Sequence, residues 1–145
     1  MKALPRLPVW QWIVLALLVA FVVDWFIQRP DARARELNAA IAAQASEHLK
    51  SYPYPFRVIR VDGKTAVMGS PRSFEVPVTR FIAAIHPGID VMNANNPTFI
   101  AAQKDLAAAQ SEAQGIVQAQ PGIESVRWQI DTHWLAAHGV DVPAQ

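Results

Sequence analysis

Residues 9–27 are apolar at every position except Gln11 and Asp24, and residues 13–23 are apolar without interruption. At ~1.5 Å per residue, a helix over residues 9–27 is about 28 Å long, close to the hydrocarbon thickness of a bilayer. Trp10 and Trp12 lie near one end, with Trp25 and Phe26 near the other, as the aromatic belts of a spanning helix do. Asp24 is one turn from the end, where its carboxylate can reach headgroup water. A cleaved signal peptide begins in the same way, but its cleavage site needs small residues, and Phe21-Val22-Val23-Asp24-Trp25-Phe26 is bulky. An uncleaved single-span anchor is therefore expected.

The rest of the chain changes periodicity repeatedly. Pro30 and Asp31 are helix-start signals, and Leu37, Ile41, Ala45 and Leu49 recur every four residues, which predicts a helix over 31–50. Ser51-Tyr52-Pro53-Tyr54-Pro55 ends it. Two alternating stretches, 56–61 and 64–68, flank Asp62-Gly63, a dipeptide favoured in type I′ turns. A hairpin with that turn pairs Val58 with Val67 and Ile59 with Ala66. Val78, Phe81, Ile82 and Ile85 predict a short helix over 76–86, stopped by Pro87-Gly88.

After a loop over 90–96, Asn96 and Pro97 open the longest helical pattern. Phe99, Ile100, Leu106, Ala113 and Val117 form its sparse apolar stripe. Pro121-Gly122 closes it, residues 123–130 alternate as a strand with Val126, Trp128 and Ile130 inward, and Asp131 caps a last helix over 132–138. Gly139 ends that helix, and the tail after it is expected to fray.

The predicted class is α+β: one N-terminal transmembrane helix, then a small α/β sandwich of order helix-strand-strand-helix-helix-strand-helix, its sheet antiparallel or mixed. The divisions are an N-terminal flank (1–8), the span (9–27), a juxtamembrane linker (28–33), the folded domain (34–138) and a tail (139–145).

Composition narrows the chemistry. The 145 residues carry 13 Lys+Arg against 12 Asp+Glu, a net charge of +1, which disfavours a nucleic-acid binder because a phosphate footprint needs clustered surplus cations. Zero Cys excludes thiol, zinc-thiolate and iron–sulfur chemistry and is compatible with an oxidising compartment. His48, His86, His133 and His138 are not at metal-ligand spacing, since even the last two are five apart. No glycine loop suits a phosphate. Gly69-Ser70 lacks the paired downstream Asp of a nucleotidyltransferase turn. No cofactor and no metal are expected.

Charge flanking the span is nearly tied: Lys2 and Arg6 precede it, and Arg29, Arg33 and Arg35 follow it among Asp31 and Glu36. Long domains translocate largely regardless of charge, so the N-terminus is assigned to the cytoplasm and the domain to the far side.

Val61-Asp62-Gly63-Lys64-Thr65-Ala66-Val67-Met68-Gly69 and Pro121-Gly122-Ile123-Glu124-Ser125-Val126 together resemble the BON (OsmY and nodulation) domain of bacterial envelope proteins. That family has a strand bounded by two glycines and a last strand opened by a Pro-Gly-Val-x-x-Val type element. Here 53 residues separate Gly69 from Gly122, far more than the family's short second helix needs, while Pro87-Gly88-Ile89-Asp90-Val91 lies at a more typical distance. The resemblance implies a non-enzymatic periplasmic domain of a bacterial inner-membrane protein, contacting phospholipid or other envelope proteins.

Two candidate surfaces follow. Arg57, Arg60, Arg72 and Arg80, with Trp128, form a basic and aromatic set suited to anionic headgroups or an acidic partner. On the long helix, Gln103, Ala107, Gln110, Ala113 and Gln114 form an uncharged face expected to be covered by another chain, a second copy, or the helix over 31–50. The expected function is a membrane-anchored, non-catalytic accessory subunit or scaffold. One alternative resembles the small bitopic assembly proteins of pilus or type II secretion systems; another, of a different class, is an enzyme using Arg72, Glu75 and Asp131.

Overall fold

The structure, a computed structural model, describes Arg6 and residues 8–143, without the side chains of residues 27–31. Lys2, the side chains of Arg29 and Asp31, and the last two residues of the tail lie outside the described residues. The elements in order are α1 (Val9–Gln44), α2 (Glu47–Ser51), β1 (Val58–Asp62), β2 (Thr65–Ser70), α3 (Val78–Ile85), α4 (Pro97–Gln118), β3 (Ser125–Ile130) and α5 (Thr132–Ala137). The α+β class is as expected, and so is the element order from β1 onward, but two helices, α1 and α2, precede β1 where one was expected. The sheet is mixed, in the order β1-β2-β3, with β1 antiparallel and β3 parallel to β2. Val9–Phe26 is long and apolar enough to cross a membrane, and none of it is buried by the domain.

The first correction concerns α1. The expected linker over 28–33 and the separate helix over 31–50 do not exist as such: one helix of 36 residues runs from the apolar stretch into the domain, straight through Pro30. A proline inside a helix gives up one backbone hydrogen bond, a loss most easily borne at a polar boundary. The helix then stops at Ala45, five residues short of the expected end. Ser46 explains the stop. Its N–H and hydroxyl both donate to Glu112 on α4, at 2.8 and 2.5 Å, so that N–H cannot continue the α1 ladder. Its oxygen accepts from Leu49 N and caps α2. Leu37, Ile41 and Leu49 nevertheless face the core as their spacing required.

The hairpin register is the second correction. Asp62 pairs with Thr65, Val61 with Ala66, Arg60 with Val67 and Val58 with Met68, with a bulge at Ile59. The turn is Gly63-Lys64, not Asp62-Gly63. Gly63 has φ +61° and Lys64 does not have a positive φ, the pattern of a type II′ turn with Gly at its first central position.

Val126, Trp128 and Ile130 are half-buried on one face of β3 and alternate with exposed neighbours, as expected. Two other details differ. Ile100, placed in the apolar stripe of α4, is exposed, whereas Ala102 and Ala109 are buried in its stead. Val140, assigned to a frayed tail, packs with Val76 and Leu135.

The main core lies between the sheet, the domain half of α1, and α4, with an aromatic group of Tyr52, Tyr54, Phe56, Phe81 and Trp134 at its edge. Helices cover one face of the sheet. The other face carries Arg60, Asp62, Thr65, Val67, Ser125, Arg127 and Gln129, as the register dictates.

Glu112 acts as a remote capping residue. Its hydrogen bonds from Ser46 hold its carboxyl below the usual value of 4.5. A depressed folded-state pKa contributes stability that is present above the usual carboxylate range and is lost as pH falls through the depressed value. Ser46→Ala is expected to cost about 1 kcal/mol of unfolding free energy at neutral pH. The difference between wild type and Glu112→Gln should shrink as pH is lowered from 6 toward 3, read by chemical denaturation at each pH.

Candidate functional site

The five residues of the basic and aromatic set do not form one surface. Arg60 lies on the open sheet face opposite Val67, and Trp128 lies opposite Met68 on the face the helices cover, 6.0 Å from the Phe56 ring. The sheet separates them. Arg80 projects from α3, donates to the Asp141 carbonyl at 3.2 Å, and lines a cleft with His138 and Val140. Arg72 is exposed in the turn after β2, where its backbone N–H donates to the Ser70 hydroxyl oxygen.

The arginine that does join Arg60 is Arg127, which sequence reasoning passed over. Val67 sits between them in register, and both guanidinium groups reach the Asp62 carboxylate, at 3.3 Å from Arg60 and 2.9 Å from Arg127. Arg60 also donates to Gln129 Oε1 at 2.8 Å, and Thr65 and Ser125 hydroxyls bond at 2.8 Å. The alternation around Trp128 puts Arg127 on the opposite face, but only the parallel register puts it beside Arg60. Val67, between them in register, is fully buried in the central strand.

Arg57 stands just before β1, farther from the hairpin tip, where its carbonyl accepts from Gly69 N at 3.1 Å. It lines a cleft of about 340 Å³ with Pro55, Asp131, His133, Trp134 and Ala137, where the ends of β2 and β3 meet α5. Asp131 is buried at 8% exposure, and both carboxylate oxygens are engaged. Oδ1 accepts from Trp134 N at 3.0 Å and caps α5; Oδ2 accepts from the Tyr54 hydroxyl at 2.9 Å, with Arg57 Nη2 at 4.0 Å. Burial, the hydrogen bond to Asp131 and the charge of Asp131 all push the Tyr54 phenol well up, against a lowering by Arg57. Burial, then the nearby Asp105 carboxylate, also raises Tyr52.

This cleft can present one guanidinium beside an aromatic ring, which suits a carboxylate or other anion. Asp131 serves there as a clamp between segments. Among the described residues no hydrogen bond or ion pair links Arg72 or Glu75 to Asp131.

Tyr54 was read from sequence only as part of a helix terminator. Its role needs Gly69: a Cβ there would lie 2.6 Å from the Tyr54 hydroxyl. The helix-face reading is corrected in part. Ala107 is exposed and Gln103, Gln110 and Gln114 are half-buried, but Ala113 is fully buried in the domain's own core. The domain half of α1, one of the expected covers, packs on α4.

The four histidines are dispersed. His48 is on α2, 3.7 Å from Asp105, His86 ends α3, His133 lines the Arg57 cleft, and His138 stacks on Trp134 at 3.8 Å.

Two predictions follow from the Tyr54–Gly69–Asp131 contact and from α4. Gly69→Ala should cost about 1–3 kcal/mol by overpacking, and the loss should be smaller in a Tyr54→Phe background, where the clashing oxygen is gone. Ala113→Glu should cost several kcal/mol or abolish folding, because the charge has no partner in the core, while Ala107→Glu stays within about 0.5 kcal/mol. Thermal unfolding of these single variants and of the Gly69→Ala/Tyr54→Phe double variant checks both. Comparison with known protein families, with curated proteins and with solved structures returns no match.

Proposed function

We propose that the chain is a single-pass membrane-anchored, non-catalytic accessory subunit or scaffold, whose domain binds a protein partner on the periplasmic side of a bacterial inner membrane. The observation that carries this reading is the continuity of α1. The exposed apolar stretch ending at Phe26 and the buried face containing Ala34, Leu37 and Ile41 belong to one helix. Such a helix holds the domain at a set height and orientation over the bilayer.

Heights along α1 follow from its rise of ~1.5 Å per residue. Arg33, about 10 Å beyond Phe26, donates to the Pro121 carbonyl. Asn38, about 18 Å beyond Phe26, bonds the backbone of Val58. The turn before β3 is therefore the end nearest the span, together with the hairpin tip, which Lys64 ties to Glu124 at 3.1 Å. Arg57, the Asp131 cleft and α5 are at the far end. That placement favours a protein partner for Arg57 over the headgroups of the anchoring bilayer, since charge attraction to a surface fades within a Debye length of about 8 Å. The BON resemblance points to the same compartment and to the same kind of role.

The topology is tested directly. A reporter active only outside the cytoplasm, fused after Gln145, is expected to be active, and activity from a cytoplasm-only reporter at that position reverses the orientation. Purification of the tagged full-length chain in mild detergent should retain a protein partner. Arg57→Glu should weaken that retention by about tenfold or more if its charge takes part. Pilus or secretion subunits in the eluate would select the assembly-component form of the same reading.

A further inference from the structure

The two edges of the sheet are treated differently. On β1, the Asn38 side chain accepts from Val58 N at 2.7 Å and donates to Val58 O at 3.0 Å, and a bulge follows at Ile59. Both devices blunt an edge. Among the described residues neither occurs on β3: no side chain bonds the backbone of Val126, Trp128 or Ile130, and its register with β2 is unbroken from Ser125 to Ile130.

The direction of the β3 backbone groups follows from the ladder. Asp131 N donates to Ser70 O at 2.8 Å, and at the start of the strand Lys64 O accepts from Glu124 N at 2.8 Å and from Ser125 N at 3.4 Å, while Gly69 N donates the other way, to Arg57 O on β1. With a period of two, the amides of Arg127 and Gln129 also face β2, and the N–H and C=O groups of Val126, Trp128 and Ile130 point out of the sheet. The side chains of those same three residues lie on the helix-covered face yet are only half-buried. On the open face, Arg127 stands at this edge, and two guanidinium groups there share the single carboxylate of Asp62.

We propose that the free edge of β3 is a docking site for an extended segment of a partner protein, which adds a fourth strand with apolar side chains beside Val126, Trp128 and Ile130 and acidic ones beside Arg127. Strand addition at an open edge supplies backbone hydrogen bonds, and alternate side chains supply selectivity. The surplus positive charge beside the edge selects acidic residues on one face of the incoming strand.

A second copy of the chain is a poor occupant, given the membrane reading. β3 runs away from the span, from Glu124 near the hairpin tip to Asp131 at the far end. Antiparallel β3–β3 pairing needs a two-fold axis across the strands and sends the two spans in opposite directions. A two-fold axis along the strands sets identical residues at equal height, whereas a parallel ladder needs them offset.

The inference rests on the partner-binding reading, and the two can fail separately. The test uses the full-length protein in detergent micelles, with backbone amide shifts as the readout. The probe is a capped peptide of roughly eight residues alternating valine and glutamate. Saturable shifts confined to residues 125–131 are expected. Binding should weaken about tenfold or more when alternate peptide amides are N-methylated, when lysine replaces glutamate, and in Val126→Pro, which removes an edge donor without touching the ladder. Arg127→Ala provides a second variant should Val126→Pro fail to fold, and it should weaken the glutamate peptide more than a valine–threonine one.

No shifts at millimolar peptide, or equal binding of the N-methylated peptide, overturns the proposal. Concentration-dependent changes at the β3 amides without peptide also overturn it, in favour of a second copy. If the edge fails while the full-length chain still retains a protein partner from detergent, the functional reading stands and only the docking site is wrong.

Discussion

The domain half of α1 has to satisfy two demands at once: it continues the apolar stretch that ends at Phe26, and it buries one face against β1 and α4. Because the backbone is helical throughout, the angular position of Ala34, Leu37 and Ile41 relative to the apolar stretch is set by 100° per residue and cannot relax independently. The rest of the architecture builds on that constraint. Asn38 falls where it can bond the backbone of Val58, so the β1 edge is closed by the same helix that supplies the core. Small residues on α4, among them Ala102, Ala109 and Ala113, are buried, and a larger side chain there would compete with the elements packed on that helix for the same space.

At the far end of the sheet, Asp131 plays a comparable part on a smaller scale. It caps α5 with one oxygen and holds the Tyr54 hydroxyl with the other, so a single buried carboxylate ties the segment before β1 to the segment after β3. Residues 77 apart are joined by one charge-assisted hydrogen bond, which is among the stronger kinds available to a small domain. Gly69 belongs to this arrangement because the strand between them must leave room for the phenol. The cleft lined by Arg57 lies beside this clamp and shares Asp131 with it.

Polar groups on the open sheet face are matched to one another more than to a core. Arg60, Arg127 and Asp62 make a shared contact, with Gln129 and the Thr65–Ser125 pair alongside. Exposed pairs of this kind contribute little stability each. Their clearer effect is to fix two guanidinium groups on either side of Val67 in register, both on the one carboxylate of Asp62.

Much of this was legible from residue order alone, for local reasons. The apolar stretch, the Asn96 cap with Pro97, the Asp131 cap, the alternation of β3 and the faces of α1 and α3 each depend on residues within one or two turns of one another. Their physics is complete within a short window. The hairpin was legible as a hairpin but not in register, because Asp62-Gly63 and Gly63-Lys64 are both acceptable two-residue turns and the bulge at Ile59 reconciles the second with the core.

What only the tertiary structure decided depends on partners far apart in sequence. The stop at Ala45 requires Glu112, the place of Arg127 requires a parallel register with β2, and the role of Tyr54 requires both Gly69 and Asp131. The same holds for Ala113, whose small size reads equally well as solvent surface, partner contact or core. No local pattern separates these readings, since the deciding quantity is which helix lies over the residue once the chain has closed on itself.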